Sequence, residues 1–111
     1  MQLNIKKTNN SNNNYYYYIC FRNEKIKKTI SFEEVECTGN SKHEIISVCL
    51  GVITKELSNS LFDLAKTYQQ IQISQDSATI LLSSEKPTNK TYCTVNFDID
   101  INDKIIGIEI I

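Results

Sequence analysis

Apolar and polar residues alternate along most of this chain, and a period of two is typical of half-buried β-strands. The polar stretch at residues 9–14, rich in asparagine, predicts a loose hairpin loop. Around Glu33 and Glu34 the alternation slips by one, which predicts a β-bulge. Seven strands are expected, at residues 2–7, 15–22, 26–37, 70–74, 78–84, 91–100 and 104–110.

Between the third and fourth of these strands the period changes to one that suits a helix. The segment "SKHE" at residues 41–44 fits a capping box, with Ser41 at the N-cap and Glu44 three residues later. The apolar residues that follow recur in steps of three and four, which predicts an amphipathic helix. They are Ile46, Leu50, Ile53, Leu57, Leu61, Leu64 and Tyr68. We expect one long helix, with a break at residues 58–60 as the alternative.

Together these elements predict the order βββαββββ in a single α+β domain, residues 1–111. The connections between the last four strands are too short for a crossover helix, so their pairing should be antiparallel. The expected fold is an antiparallel sheet of about seven strands, with the long helix packed across one face.

Four consecutive tyrosines open the second predicted strand. Alternation places Tyr15, Tyr17, Ile19 and Phe21 on one face, which should belong to the core. It places Tyr16, Tyr18, Cys20 and Arg22 on the other face. That second face is either covered by the helix or open as a contact surface.

The acidic stretch "DIDINDKIIGIE" invites comparison with an EF-hand loop, because Asp98, Asp100, Asn102 and Glu109 stand at ligand positions. The sixth position, which needs glycine for a sharp turn, is Asp103, and the preceding residues read as a strand. We therefore interpret the stretch as a β-hairpin that turns at residues 102–103. Its buried side chains should be Val95, Phe97, Ile99, Ile101, Ile106, Ile108 and Ile110. Asn96, Asp98 and Asp100 should face water.

The same C-terminal stretch, ending in the strand "GIEI" from Gly107 to Ile110, resembles a family of small bacterial domains of unknown function. Members typically close with an acidic hairpin and a "GIEI" or "GIEL" strand, and the likeness covers about the last forty residues. Ser77, Thr79 and Ile80 depart from the family's pattern in the earlier hairpin. The resemblance implies a non-enzymatic binding module, since some members are encoded beside toxin-like genes.

Other candidate chemistry finds little support in the residue spacing. Cys20, Cys37, Cys49 and Cys93 contain no close pair of the kind that structural zinc sites use, so no metal or other cofactor is expected. His43 should stand at the start of the helix, and a catalytic pair with Cys37 would lack a third, orienting group. The three glycines are too far apart for a phosphate-binding loop.

Charge and composition narrow the function classes. The net charge is −1, which leaves no footprint for a nucleic-acid binder, and no apolar run is long enough to cross a bilayer. Through Lys42 the chain has seven basic and four acidic residues, and beyond it five basic and nine acidic ones. We expect a cytoplasmic protein with reduced cysteines.

These observations favour a small non-enzymatic inhibitor or interaction protein, of the antitoxin, immunity or phage-encoded anti-defence type. Its partner would be a nuclease, a toxin or a defence-system component, with a homodimer as another option. The alternative is a small-ligand binding module that uses the tyrosine-rich strand for stacking, with a nucleotide as the candidate ligand. The candidate partner-binding residues are Tyr16, Tyr18, Arg22, Asp98 and Asp100.

Overall fold

A computed structural model describes residues 1–9 and 14–111 and contains eight strands and one helix in this part of the chain. Residues 10–13 of the predicted loop at 9–14 lie outside the described residues. The elements are β1 (Ile5–Asn9), β2 (Tyr15–Cys20), β3 (Lys28–Gly39), β4 (Ile45–Leu50), α1 (Lys55–Thr67), β5 (Ile71–Ser74), β6 (Ser77–Leu81), β7 (Asn89–Ile99) and β8 (Ile105–Ile110).

All eight strands form one antiparallel sheet in the order β1-β2-β8-β7-β3-β4-β6-β5. The sheet curls into a half-barrel, and strands account for 51% of the described residues against 12% for the helix. The expected α+β fold, a sheet with a long helix packed across one face, is therefore wrong. The protein is a curled β-sheet that folds around its own core. The expected bulge is confirmed, because the register of β3 shifts between Phe32 and Val35.

The long predicted helix fails in its first half, where β4 runs instead. Ile46, Val48 and Leu50 are spaced by two residues, and this pattern was hidden because Ile46 and Leu50 also fit a helical step of four. As a strand, β4 pairs with β3 on one side and β6 on the other, and its alternation places Ile46, Val48 and Leu50 together in the buried face. The alternative of a break at residues 58–60 is not observed, since these residues lie within α1.

The helix α1 contributes Leu57 and Leu61 to the same core that the inner face of the sheet forms. It is held at the end of the half-barrel where β8 begins, because Ser60 Oγ accepts a hydrogen bond from Ile105 N at 2.9 Å. An ion pair between Lys28 and Glu56 fixes its first turn to the start of β3. The helix therefore lies on the inner side of the sheet.

The first four strands of the chain and the last four occupy equivalent places in the sheet when it is read from its two edges. Exchanging β1 with β5, β2 with β6, β3 with β7 and β4 with β8 turns the observed order into its own reverse. Two sets of strands thus correspond: β1, β2, β8 and β7, which we call the tyrosine half, and β5, β6, β4 and β3, which we call the serine half. The sheet has an internal pseudo-two-fold relation between these halves.

Matching backbone hydrogen bonds define equivalent positions in the two halves. In the tyrosine half the carbonyl of Ile106 accepts bonds from Phe21 N at 2.9 Å and Arg22 N at 3.2 Å. In the serine half the carbonyl of Ile46 accepts bonds from Leu82 N at 2.8 Å and Ser83 N at 3.3 Å. The equivalent pairs that follow from the register are Tyr18 and Thr79, Gly107 and Ser47, Glu109 and Cys49, Asp98 and Thr38, and Ile108 and Val48.

The segment that was predicted to cap a helix, residues 41–44, forms the turn between β3 and β4. Asn40 Oδ1 accepts bonds from the backbone N–H groups of Lys42 and Glu44, both at 3.0 Å. His43 has a φ of 65°, so it takes the left-handed conformation that closes such a hairpin turn. His43 therefore lies in a turn and not at a helix N-terminus.

The β7–β8 turn has the same construction. Asp100 Oδ1 accepts bonds from the N–H groups of Asn102 at 2.9 Å and Lys104 at 3.0 Å, and Asp103 has a φ of 60°. The expected hairpin is confirmed by the antiparallel pairing of β7 with β8. Two hairpins that differ in sequence thus share one turn geometry.

Candidate functional site

The tyrosine strand β2 presents its two faces as alternation predicts. Tyr17 and Ile19 are buried in the core, while Tyr16 and Tyr18 are half-buried on the opposite, outer face of the sheet. Because α1 packs into the core on the inner side, it does not cover these two tyrosines. The choice that the sequence left open is therefore resolved in favour of an outer face without the helix.

Tyr18 lies across strand β8 to reach β7. A Cβ added to Gly107 would lie 2.1 Å from Tyr18 Oη and 2.7 Å from its Cζ, so the ring occupies the space above that glycine. Gly107 does not have a positive φ, so its backbone conformation does not require glycine. Glycine is needed there because a side chain would collide with the Tyr18 ring. The phenol then donates to Asp98 Oδ2 at 3.5 Å.

Asp98 is held from both sides on the outer face. Besides the bond from Tyr18, its Oδ1 accepts a bond from Thr29 Oγ1 at 2.8 Å. Burial, followed by the negative charge of Asp98, raises the pKa of Tyr18. The phenol therefore stays protonated at neutral pH and remains a donor to the carboxylate.

A second carboxylate lies beside this group. Glu109 pairs in register with Tyr18 on one side and with Asn96 on the other, and its Oε1 accepts a bond from Asn96 Nδ2 at 2.9 Å. Asn96 Oδ1 is covered and accepts no hydrogen bond from the described residues. We define Tyr16, Tyr18, Asp98 and Glu109 as the outer-face patch.

The serine half shows what the sheet itself requires at these positions. Where Tyr18 reaches over Gly107 to Asp98, the equivalents are Thr79, Ser47 and Thr38. There Thr38 Oγ1 and Ser47 Oγ simply bond to each other at 2.7 Å. Short hydroxyl side chains are therefore sufficient to complete an identical strand arrangement. The aromatic and acidic side chains of the outer-face patch are not needed to build the sheet.

Arg22 and Asp100 form a separate group at the rim of the half-barrel. The Arg22 guanidinium lies 3.7 Å from Asp100 Oδ2. Asp100 is only 4% exposed, which contradicts its expected position facing water. Its other carboxylate oxygen is used by the turn, and the N–H group of Lys104, ahead of that of Asn102, lowers the pKa of Asp100. Its observed role is structural.

Arg22 also lines a cleft of about 400 Å³ together with Ile26 and Ile101. Ile101, which alternation assigned to the core, is 77% exposed. The reason is the turn, since Ile101 follows Asp100 at its tip and no longer continues the strand. The structure thus separates the five predicted residues: Tyr16, Tyr18 and Asp98 lie on the outer face, and Arg22 and Asp100 lie at the rim.

Sequence reasoning missed Glu109, Gly107 and Thr29 as members or supports of the patch. The position of Glu109 could have been predicted from the sequence, because a hairpin that turns near residue 102 brings it opposite Asn96. The roles of Gly107 and Thr29 could not have been predicted in this way, since they depend on the pairing of β2 with β8 and of β3 with β7.

The four cysteines are free thiols in the structure. Cys49 lies in β4 and is exposed, which corrects its placement in the helix. Cys37 and Cys93 are buried on neighbouring strands, where the hydrogen bond between their thiols, together with burial, raises the pKa of Cys93. Among the described residues, no group of three or more histidine, cysteine, aspartate or glutamate side chains is placed to hold a metal ion.

No family model, curated protein or solved structure matches this chain. The resemblance of the C-terminal residues to a bacterial domain family therefore stays a prediction. Within residues 1–9 and 14–111, no helix is long and apolar enough to cross a membrane.

Proposed function

We propose that this protein is a small non-enzymatic interaction protein that binds another protein through the outer-face patch. One observation carries the proposal. Tyr16 and Tyr18 occupy positions where the serine half completes the same sheet with Ser77 and Thr79, so the strand arrangement does not require aromatic side chains there. Tyrosine is among the residue types that contribute most to binding energy in protein interfaces.

The charge of the patch indicates the kind of partner. Asp98 and Glu109 lie beside the tyrosines, and acidic side chains at an interface favour a partner with a basic surface. A nuclease, a toxin or a defence-system component that binds nucleic acid has such a surface. We propose an inhibitor of the antitoxin, immunity or anti-defence type. Free thiols are typical of a reducing compartment, which supports a place in the cytoplasm.

The same carboxylates argue against the alternative of a nucleotide-binding module. A nucleotide brings phosphate charges, and Asp98 and Glu109 would repel them beside the ring on which the base would stack. Arg22, the cation that could have offset this repulsion, lies at the rim and faces Asp100. The outer-face patch therefore favours a basic protein partner over a nucleotide.

The test compares the patch with its equivalent in the serine half. The double variant Tyr16→Ala/Tyr18→Ala and the matched control Ser77→Ala/Thr79→Ala serve as bait in extracts of the native host, beside the unchanged protein. We expect a protein that the unchanged chain and the control retain and that the tyrosine variant loses. Its affinity should fall by about 2 kcal/mol or more, the usual hot-spot threshold.

Both variants should keep the melting curve of the unchanged protein, which separates lost binding from lost folding. Sedimentation of the purified protein checks whether the partner is a second copy of the chain. Equal retention of every bound protein by the tyrosine variant and the control would contradict the proposed function.

A further inference from the structure

We infer that the outer-face patch receives an arginine side chain of its protein partner, with the guanidinium held by the carboxylates of Asp98 and Glu109 beside the ring of Tyr18. This inference rests on the function proposed above and specifies the chemistry of the partner. It follows from how the two carboxylates are held, from what surrounds them and from what the serine half lacks.

Both carboxylates are held in place by neutral donors. Asp98 accepts bonds from the hydroxyl groups of Thr29 and Tyr18, and Glu109 accepts one from the amide of Asn96. Neither is part of an ion pair within residues 1–9 and 14–111. Five other acidic residues do form ion pairs with lysine or arginine there: Glu36, Glu44, Glu56, Asp100 and Asp103. The patch therefore holds two oriented negative charges that the described chain does not neutralise.

Lys6, a cation on the outer face beside Tyr18, does not change this balance. Lys6 lies on the edge strand β1, opposite Tyr18 in register, and it forms no ion pair with either carboxylate. Lys7, its neighbour, points to the other face, where it pairs with Glu44. Within the described residues, Asp98 and Glu109 therefore remain available to pair with a cation of another molecule.

The geometry favours a guanidinium over an ammonium group. A guanidinium is planar, carries five donors and bonds to carboxylates in pairs, whereas an ammonium group acts as a point charge. Arginine also stacks on aromatic rings, and the ring of Tyr18 lies above Gly107 on β8, the strand that carries Glu109, and reaches to Asp98 on β7. Holding the acceptors in advance reduces the entropy lost on binding.

The serine half supplies an internal control. Its positions equivalent to Asp98, Glu109 and Tyr18 are Thr38, Cys49 and Thr79, none of which carries a charge or a ring. Glu36, the acidic residue nearest to them in register, pairs with Lys90 at 3.1 Å. An arginine probe should therefore distinguish two surfaces that share one backbone arrangement.

The experiment is a nuclear magnetic resonance titration of the full chain with a short peptide that contains two arginines, and with its lysine counterpart of equal length and spacing. We expect the shifts to concentrate at Tyr18, Asp98, Gly107 and Glu109. The lysine peptide should bind more weakly by about fivefold or more. Asp98→Asn and Glu109→Gln should each weaken arginine binding by a similar factor or more. The control Glu36→Gln should leave it unchanged.

Equal affinity for the two peptides, or shifts spread over every acidic residue, would show general charge attraction and overturn the inference. So would the absence of shifts at the patch. The proposed function fails in a different way. If Tyr16→Ala/Tyr18→Ala loses the native partner but Asp98→Asn and Glu109→Gln retain it, the function stands and the arginine site does not. If the tyrosine variant retains the partner, the function itself is wrong.

Discussion

In the tyrosine half, strand β8 follows a turn built on Asp100, and in the serine half, strand β4 follows a turn built on Asn40. The hydrogen bonds of the two turns correspond, and β8 and β4 each lie between equivalent neighbouring strands. Equivalent positions are also buried alike, as Ile108 in β8 and Val48 in β4 show. The outer faces differ, because one carries tyrosines and unpaired carboxylates and the other carries serine and threonine. The shared features are those that the sheet needs, and the features found in one half point to function.

The largest expected effect concerns the shared core. Ile108→Asp and Val48→Asp each place a charge at a fully buried position, and we expect both to abolish cooperative folding. Thr79→Asp, on the outer face of the serine half, is the control and should stay folded. Circular dichroism melting curves measure the effect. A cooperative transition in only one of the two core variants would show that the halves do not contribute equally.

The next effect concerns the first backbone N–H of β4 and β8. Ile45 N donates to Tyr17 Oη and Ile105 N donates to Ser60 Oγ, both at 2.9 Å. A side-chain hydroxyl thus accepts the first N–H of each strand, from strand β2 in one case and from helix α1 in the other. Tyr17→Phe and Ser60→Ala should each lower the free energy of unfolding by about 1–3 kcal/mol, because each leaves a donor unpaired. Urea denaturation measures this loss. Ser58→Ala, at an exposed helix position, is the control, and a loss as large there would refute the assignment.

The two turns should respond unequally to exchange of their first residue. Asn40 Nδ2 donates to Glu44 and Glu85, both at 3.1 Å, so Asn40→Asp would set a carboxylate against two others and lower the melting temperature. Asp100→Asn keeps the acceptor for the turn and gives up only the charge that faces Arg22. We expect the smaller loss from this second change.

The pH dependence of the melting temperature sharpens this prediction. The folded-state pKa of Asp100 is lowered, first by the N–H of Lys104, so its ionised form stabilises the fold at pH values above the unfolded value of about 3.9. That contribution is lost as the pH falls through the lowered folded value, and Asp100→Asn should remove it. The penalty of Asn40→Asp should instead shrink in acid, as the carboxylates become protonated. Parallel curves for the two variants would contradict this account.

The smallest effect on stability is expected on the outer face. Tyr18→Thr copies the residue at the equivalent position and should change the free energy of unfolding by no more than about 0.5 kcal/mol. Gly107→Ser alone should displace the ring of Tyr18, since its Cβ would overlap the phenol. The double variant Tyr18→Thr/Gly107→Ser has the residues of the serine half at both positions, and it should recover the stability that Gly107→Ser alone loses. A double-mutant cycle in urea measures the coupling, and full additivity would mean that ring and glycine do not meet.

Much of this fold was accessible from local sequence. Alternation predicted seven of the eight strands, the β3 bulge and the C-terminal hairpin, because a strand with one buried face must alternate whatever its neighbours are. The same rule assigned Tyr17 to the core and placed Tyr16 and Tyr18 on the opposite face of the strand, and the structure confirms this. The positions of these side chains depend on period alone.

Tertiary pairing decided the rest. Ser41 to Glu44 satisfies a capping box and a hairpin turn equally well, and β4 forms because β3 and β6 are available on either side. Asp100 turns inward because Asn102 and Lys104 need an acceptor, which alternation does not describe. Contact between Tyr18 and Gly107 joins strands far apart in the chain, and such contacts follow from register across the sheet and not from any local pattern.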